Sequence, residues 1–571
     1  MPLVLLPGLL SSGCSATLPA LPGEGGEVSD SAVETVTAAG EDGCPALYDQ
    51  RILPVFHLEI DEAEWAGIIS DYASGVKQYH PARFVYASGE DIEVDNAAVR
   101  LRGNPGFSWL GDKMQFVISF NEYDEDARFM GLRKLTLDSS WYDPTLIRDR
   151  LAYAYMRDHG IPAPCANNAL LYINGEVYGL YKNIEFVDHE FLERNFGDNA
   201  TGGLWKYGTQ VTSNAEASDP ALLSEFWSNT SVAWQEAHTD LEYNITEWAT
   251  EAVIPHNDGY WCCSHNFYIY EHPERGLMFI PWDLDYSFDA TPFWADPYSW
   301  YRGSNNQYHF DNVAGDAEWG PRLITALDEA VESYDPDLMA QRVGDWGEQI
   351  AEAFASDPMT NFSVAEHDSA LERLAAYGHG RHAFLDARVD CKRGSETDSD
   401  GDGYSSCEDC DDGDPLINPG AEERCNQRDD DCNSHIDDAE ECDTCEEHAF
   451  GDSRMLLCWY PRSWDEAQAE CEAHDANLGY PRTGEDWYVI FIYTYWHTTY
   501  FDGIYWWWVG ATDAASEGTW VDPQGEAVAP AWGGGAPNGG TAENCAAITP
   551  NSWYWEDGTC SYELPFICRL D

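Results

Sequence analysis

The feature that most constrains this chain of 571 residues is the stretch 396–447. There roughly two residues in five are Asp or Glu, Cys and Gly are interspersed, and aliphatic side chains are nearly missing. Such a segment cannot bury an apolar core, so it separates globular units and does not join one. Before it, composition is globular from about Arg51 to about Asp390; after it, from Cys445, the chain is aromatic and again punctuated by cysteines. The 17 cysteines fall as Cys14 alone, four at 44, 165, 262 and 263, six from 391 to 442 and six from 445 to 568. Even numbers in each folded section suit disulfide frameworks made in an oxidising compartment. Thirty basic against 102 acidic residues give a net charge of −72, which excludes a nucleic-acid binder working through phosphate contacts. With 14% aromatic residues and 24 Trp the chain still has ample core material, so its acidity does not signal disorder.

At the start, an apolar run at 3–10 leads into Ser11, Ser12, Gly13 and Cys14. This resembles a bacterial lipobox, which implies a signal at 1–14, lipidation of Cys14 and membrane contact through a lipid anchor only. A plain secretory signal is the alternative, and both place the mature chain outside the cytoplasm as an exported or cell-surface protein. Residues 15–45 read as a flexible tether. No other apolar run reaches the ~18 to 20 residues of a membrane span. The aromatic stretch 488–509 is broken by His497, Asp502 and Gly503 and reads as strands.

From 46 to 390, alternation predicts strands at 55–60, 98–102, 114–120 and 132–137. A helix follows at 146–159, stopped by Gly160 and Pro162, then a hairpin of 169–173 and 177–184 around Asn174 and Gly175. A second strand pair, 265–270 and 277–281, ends in Trp282-Asp283-Leu284-Asp285. The fold class is α+β and multidomain.

The blocks VRLRGNPGFSWLGDKMQFVISF, GLRKLTLDSSWYDPTLIRDRLAYAYMRDHGIPAP, LYINGEVYGLYKNIEFVD, GGLWKYG, NDGYWCCSHNFYIY and FIPWDLDYSF occur in one order. In that order they resemble the spore coat protein H (CotH) kinase family. The resemblance implies an atypical protein-kinase-like domain with a small β-rich lobe and a larger lobe, binding ATP with Mg2+ or Mn2+. Phosphoryl transfer needs cations on the phosphates, oxygen ligands for metal and a carboxylate to orient the acceptor hydroxyl. By resemblance Lys113 is the phosphate-contacting lysine, Glu185 its acidic partner and Lys206 a further phosphate contact. Asp283 and Asn266 are metal ligands, and Asp258 is the carboxylate that orients the hydroxyl. Asp285 joins the metal set if the strand before it continues, since it would then share a side with Asp283. The adjacent Cys262 and Cys263 read as structural, stiffening the loop between Asp258 and Asn266.

In the segment 391–444, Asp398, Asp400, Asp402, Gly403 and Asp409 hold positions 1, 3, 5, 6 and 12 of an EF-hand-like loop, a spacing that wraps carboxylates around one hard cation. A looser copy runs Asp429, Asp431, Asn433, Ser434 and Glu440. The segment resembles the MopE-type metal-binding repeat, and its oxygen-only ligands favour Ca2+ over copper.

From 445 to 571, SWDEAQAECEAHDANL, WWWVGATD, GAPNGGTAENC and WYWEDGTCSYELPFICRL resemble a long-form C-type lectin domain. The resemblance implies the pairs Cys445–Cys458, Cys471–Cys568 and Cys545–Cys560, and a sugar and calcium site at Asn538, Glu543 and Asp557. Ala536 and Glu556 depart from that pattern, which favours a protein-binding or structural lectin fold over calcium-dependent sugar binding. Trp506 to Trp508 read as core and not as a glycan platform.

Two functional readings stay open. One is an exported, lipid-anchored kinase that phosphorylates Ser or Thr of a protein acceptor and is targeted by the lectin-like module. The other is a surface adhesin, with a protein ligand or a glycan as partner, whose kinase-like domain is an inactive scaffold.

Overall fold

The computed structural model describes residues 43–570 except 90, 106–108, 110–112, 257, 261–264, 291–306, 394–397, 423, 425–429, 433–444, 451–452, 475, 483–485, 487–489, 491–505, 531, 534–535 and 550–553. Cys14, Cys262, Cys263, Asp429, Asn433 and Glu440 therefore lie outside the described residues, as does most of the expected tether. Its last part does not behave as a tether. Cys44 is fully buried, bonded to Cys165, and the turn Ala46–Tyr48 packs beneath it, so the folded domain begins before residue 46.

The first lobe is a closed barrel. Its strands are β1 (Val55–Glu59), β2 (His80–Tyr86), β3 (Ile92–Leu101), β4 (Phe116–Ser119), β5 (Lys134–Asp138), β6 (Ala166–Ile173) and β7 (Glu176–Glu185). They join in the order β1-β2-β3-β4-β5-β7-β6, closed by a parallel β1–β6 pairing. The hairpin β6–β7 turns at Asn174 and Gly175, both at positive φ, as an Asn-Gly turn requires. Aromatics fill the barrel: Phe56, Phe84, Phe116 and Tyr181 are all inaccessible to solvent. Closure removes the exposed sheet edges that an open small lobe would leave. Helix α1 (Glu62–Ser74) crosses between β1 and β2, and α2 (Arg148–Asp158) lies between β5 and β6.

The second lobe has its own sheet, β8 (Leu204–Lys206), β9 (Gln210–Ser213), β10 (Phe267–His272) and β11 (Gly276–Pro281), in the order β11-β10-β8-β9. Helices surround it, among them Leu241–Val253, Trp319–Ser333, Pro336–Ala355 and Val364–Arg393. The core of α2 and this lobe is continuous, from Leu151 and Tyr155 through Ile280 and Trp282 to Phe384 and Val389. That shared core fixes the end of β11 against α2.

The last helix ends in the disulfide Cys391–Cys407, and Cys410–Cys432 staples the acidic segment further on. The C-terminal unit is a sheet flanked by the helix Trp464–Ala473, which opens on a capping box of Ser463 and Glu466. Cys445 pairs with Cys458, Cys471 with Cys568, and Cys545 with Cys560. Trp507 and Trp508 are buried in its core. No helix among the described residues is long and apolar enough to cross a membrane.

Candidate active site

The ends of β3, β5, β7 and α2 meet the turn after β11, and each brings a charge. The antiparallel register sets Lys182 on β7 opposite Asp138 on β5. The Lys182 ammonium lies 2.6 Å from the Asp149 carboxylate on α2, and 3.5 Å from both Asp138 and Asp285. One residue past β3, Arg102 donates to Asp138 and Gln115 and reaches Asp283 at 3.0 Å. Through these contacts two cations meet four carboxylates, and Lys206 stands as a third cation beside Asp283. The Asp149 Oδ1 atom is buried and accepts no hydrogen bond among the described residues. A divalent cation fits such a donor set.

The electrostatics follow from this arrangement. Burial pushes the Asp283 carboxyl up, but Arg102, Lys206 and Lys182 outweigh it and hold it down at about 2. At Asp149 burial outweighs the pull of Lys182, and with the charges of Asp283 and Asp138 it pushes the carboxyl up to about 6. Asp285 is likewise raised by burial, against the pull of Lys182. The β11 strand ends at Pro281, and Asp283 turns into the left-handed region at φ 59°, with its backbone N–H donating to the Tyr153 hydroxyl at 2.8 Å. The strand therefore does not continue, and the expectation that Asp285 shares a side with Asp283 is corrected: Asp285 faces Lys182.

Asn266 joins two segments of the site. Its Nδ2 donates to Asp258 Oδ2 at 2.9 Å, and its carbonyl accepts the backbone N–H of Trp282 at 3.2 Å. Asn266 is 4% exposed and its Oδ1 has no partner among the described residues. His265 lies 3.3 Å from the same Asp258 oxygen, is stacked on Tyr207, and is raised above the ordinary histidine value first by that hydrogen bond. The Lys206 ammonium sits among the rings of Tyr207, Tyr268 and Trp282, where burial lowers it to about 8. The structure thus brings Asp258, Asn266, Asp283 and Lys206 to one place.

Two expected partners are corrected. Lys113 is 3% exposed and donates to the Asp357 carboxylate at 2.6 Å and to the Leu180 carbonyl at 2.7 Å, not to Glu185. Gly179, at φ 153°, makes room for this pair, since a Cβ there would lie 2.8 Å from the Asp357 carboxylate. Glu185 is instead held by Arg194 at 2.5 Å and by the backbone N–H of Cys165 at 2.9 Å. Sequence reasoning missed Arg102, Asp138, Asp149 and Lys182. Their signal was present: Arg102, Asp138 and Lys182 are charged residues inside or next to apolar strand runs, and Asp149 stands in the first turn of α2, just before its apolar run.

Sequence models of three families match the chain: CotH kinase protein over residues 99–385, the MopE-type metal-binding motif over 409–438, and the lectin C-type domain over 460–570. The first covers just over half of the chain. This chain belongs to the CotH kinase protein family. Within that family it is similar to the inner spore coat protein H of Bacillus subtilis (strain 168), 26% identical over 306 residues, which are 48% of this chain and 82% of that protein. Its C-terminal part is similar to tetranectin of Mus musculus, 34% identical over 121 residues, and of Homo sapiens, 33% identical over 114. Those residues are 20% and 19% of this chain, which spans 58% and 55% of the two tetranectins. The region 99–385 contains every charged residue of the cluster, from Arg102 to Asp285.

In that metal loop, Asp398, Asp400 and Asp402 bring carboxylate oxygens within 4.8 Å of one another. Gly401 and Gly403, at φ 84° and 102°, turn the chain there. The backbone amides of Gly401 and Gly403 donate to Asp398. One oxygen each of Asp400, Asp402 and Asp409 is buried without a hydrogen-bond partner among the described residues. Burial, then Asp402, Asp400 and Asp412, push Asp409 up to about 7. Asp412, which the spacing did not single out, belongs to the same set and also accepts from Ser399. Of the looser copy, only Asp431 is described. In the lectin unit, both Asp557 oxygens accept backbone amides of Asn538 and Gly539. Asp557 therefore braces the 536–539 turn, with Glu543 packed against Gly539.

Proposed function

We propose that the chain is a phosphotransferase that moves the terminal phosphoryl group of ATP to a Ser or Thr hydroxyl of a protein. One observation carries this reading: Asn266 is bonded both to Asp258 and to the backbone that sets Asp283. That is how a hydroxyl-orienting carboxylate and a metal-binding carboxylate are held in register. Arg102 and Lys206 stand beside Asp283, where they neutralise phosphate charge. Asp283, Asn266 Oδ1 and Asp149 Oδ1 supply the oxygen donors for Mg2+ or Mn2+, which when bound spreads the charge of the phosphates. Lys182, paired to Asp149 on a helix, takes the structural place expected of Lys113 and Glu185. In the transfer step the acceptor oxygen bonds to the γ-phosphorus while its bond to the β–γ bridging oxygen breaks. ADP leaves, and the hydroxyl proton passes to Asp258. The test is transfer of label from γ-labelled ATP by the full chain with Mg2+ or Mn2+. Asp283→Asn and Asp258→Asn should each lower transfer by ~100-fold or more. A well-folded wild type that binds no nucleotide, or variants that transfer normally, would sink the reading.

The disulfides, and relatives named for a spore coat and for lectins, support an exported or surface protein whose loop 398–409 holds Ca2+ and whose lectin-like unit binds a surface ligand, protein or glycan. Cys14 would carry the lipid. A second reading, an adhesin on an inactive kinase-like scaffold, draws its support from Lys113, which is sealed beneath Asp357, and from the lectin unit.

A further inference from the structure

In a chain with 102 acidic and 30 basic residues, positive charge that stands beside the candidate site and pairs with no carboxylate calls for a reason. Lys77 and Arg100 are unmatched. Lys77 is exposed, in the connection between α1 and β2. Among the described residues neither makes an ion pair; Arg100 donates only to the carbonyl oxygen of Leu101. Both stand next to the site. Tyr72 stacks on Trp109 in the loop between β3 and β4, with ring centroids 5.2 Å apart, and a Cβ at Gly75 would lie 3.5 Å from Pro105. The Arg100 guanidinium lies 5.3 Å over Tyr79. The connection that carries Lys77 is thus fixed beside the start of that loop. Arg102 follows Arg100 by two residues, 5.9 Å from the centre of the Trp282 ring, and Lys206 is 5.3 Å from the same ring. The four cations therefore run from the outer connection to Trp282-Asp283. Their mutual repulsion is felt along the row: after burial, Arg100 and Arg102 lower Lys77, and Arg102, Lys77 and Arg100 lower Lys206.

Resting on the phosphotransferase reading above, we propose that Lys77 and Arg100 form a track for the acceptor, which is a protein segment whose target hydroxyl is flanked by Asp and Glu side chains. Arg102 and Lys206, next to Asp283, attend to the transferring phosphate; the two unmatched cations lie outside them, where flanking residues of an acceptor would run. The rest of a surface with net charge −72 repels an acidic protein, so this track decides where one can settle.

The test uses the full chain and two equal-length Ser peptides, one flanked by Glu and one by Gln, each labelled with fluorescein. Anisotropy measures binding without reference to catalysis, and label transfer from ATP measures KM. The Glu-flanked peptide should bind more tightly, lose affinity as salt rises, and bind ~5- to 10-fold more weakly to the double variant K77A/R100A, with KM raised in step. If wild type transfers no label but still binds the Glu-flanked peptide through these residues, the track stands and the kinase reading fails. Equal binding of the two peptides, a preference kept by K77A/R100A, or a double variant that weakens nucleotide binding and leaves peptide binding unchanged would overturn the track.

Discussion

Lys182 shows what a single buried charge does in this site. It is 1% exposed, with Asp149 at 2.6 Å and Asp138 and Asp285 at 3.5 Å. Attraction from these carboxylates overcomes the burial that opposes its charge and holds the ammonium well above the usual lysine range. Lys182→Met leaves three buried carboxylates short of a cation, and losing one partner of a buried pair costs about 3–5 kcal/mol. Urea unfolding followed by barrel tryptophan fluorescence should register that loss, and Asp149→Asn added to Lys182→Met should recover part of it. Lys113 makes the contrasting case. Sealed against Asp357 and Leu180, it should be needed for stability and not for nucleotide affinity: Lys113→Met should lower the urea midpoint and leave the Kd for ATP within about twofold, whereas Lys206→Met should raise that Kd. The contrast also marks what the sequence can reveal. Asp258, Asn266 and Asp283 lie within short motifs and were legible there. The partner of Lys113 lies 244 residues away, after the helix Pro336–Ala355, and no local spacing points to it.

At the scale of elements, one barrel histidine is clamped between two carboxylates of α1. His80, the first residue of β2 and 6% exposed, lies 2.9 Å from Glu64 and 3.1 Å from Asp71, both on α1. Gly67 leaves room for the ring, since a Cβ there would lie 2.6 Å from it. Burial opposes the charged imidazole, but the bonds to Glu64 and Asp71 prevail and raise it; Asp71 is lowered by His80 and Gln78 despite its burial. The signs fix the window. The raised His80 contributes fully below its unfolded value of about 6.5, and its contribution is lost as pH rises through the folded value. The lowered Asp71 contributes above about 3.9 and is lost as pH falls through its folded value. Amide exchange of 62–74, corrected for intrinsic rate, should therefore be slowest between about pH 4 and 6.5, accelerate ~5-fold toward pH 8, and lose this pH dependence in His80→Gln. Because Tyr72 of α1 stacks on Trp109, loosening α1 should also free the loop between β3 and β4. The hairpin β6–β7 was legible because Asn174-Gly175 dictates its turn. The strand β2 was not, because HPARFVY carries a proline and no clean alternation. The helix Val364–Arg393 was hidden for a different reason: its apolar residues keep no consistent face along thirty residues.

Across the whole molecule, a net charge of −72 sets two responses to ions that can be told apart. Self-repulsion between carboxylates weakens as salt shortens the Debye length, from ~30 Å at 0.01 M to ~8 Å at 0.15 M, so sodium chloride should raise the melting temperature of every unit. Calcium at about 1 mM hardly changes ionic strength, so its effect must come from a site. Among the described residues of the acidic segment, the buried carboxylate oxygens without a hydrogen-bond partner belong to Asp400, Asp402 and Asp409; Asp398 lies within 4.8 Å of the first two, and the charges of Asp400, Asp402 and Asp412 act on Asp409. A cation bound there and not to the unfolded chain stabilises by ~2.7 kcal/mol at a hundredfold excess over its Kd. Calcium should therefore slow proteolysis between Cys391 and Cys432, with chelation reversing the effect, and should leave melting of the barrel unmoved. Asp400→Asn and Asp409→Asn should abolish the calcium response while keeping the sodium chloride response. Equal protection by calcium in those variants would mean that the cation acts on the diffuse charge of the chain, and that the loop after the last helix is a spacer without a metal.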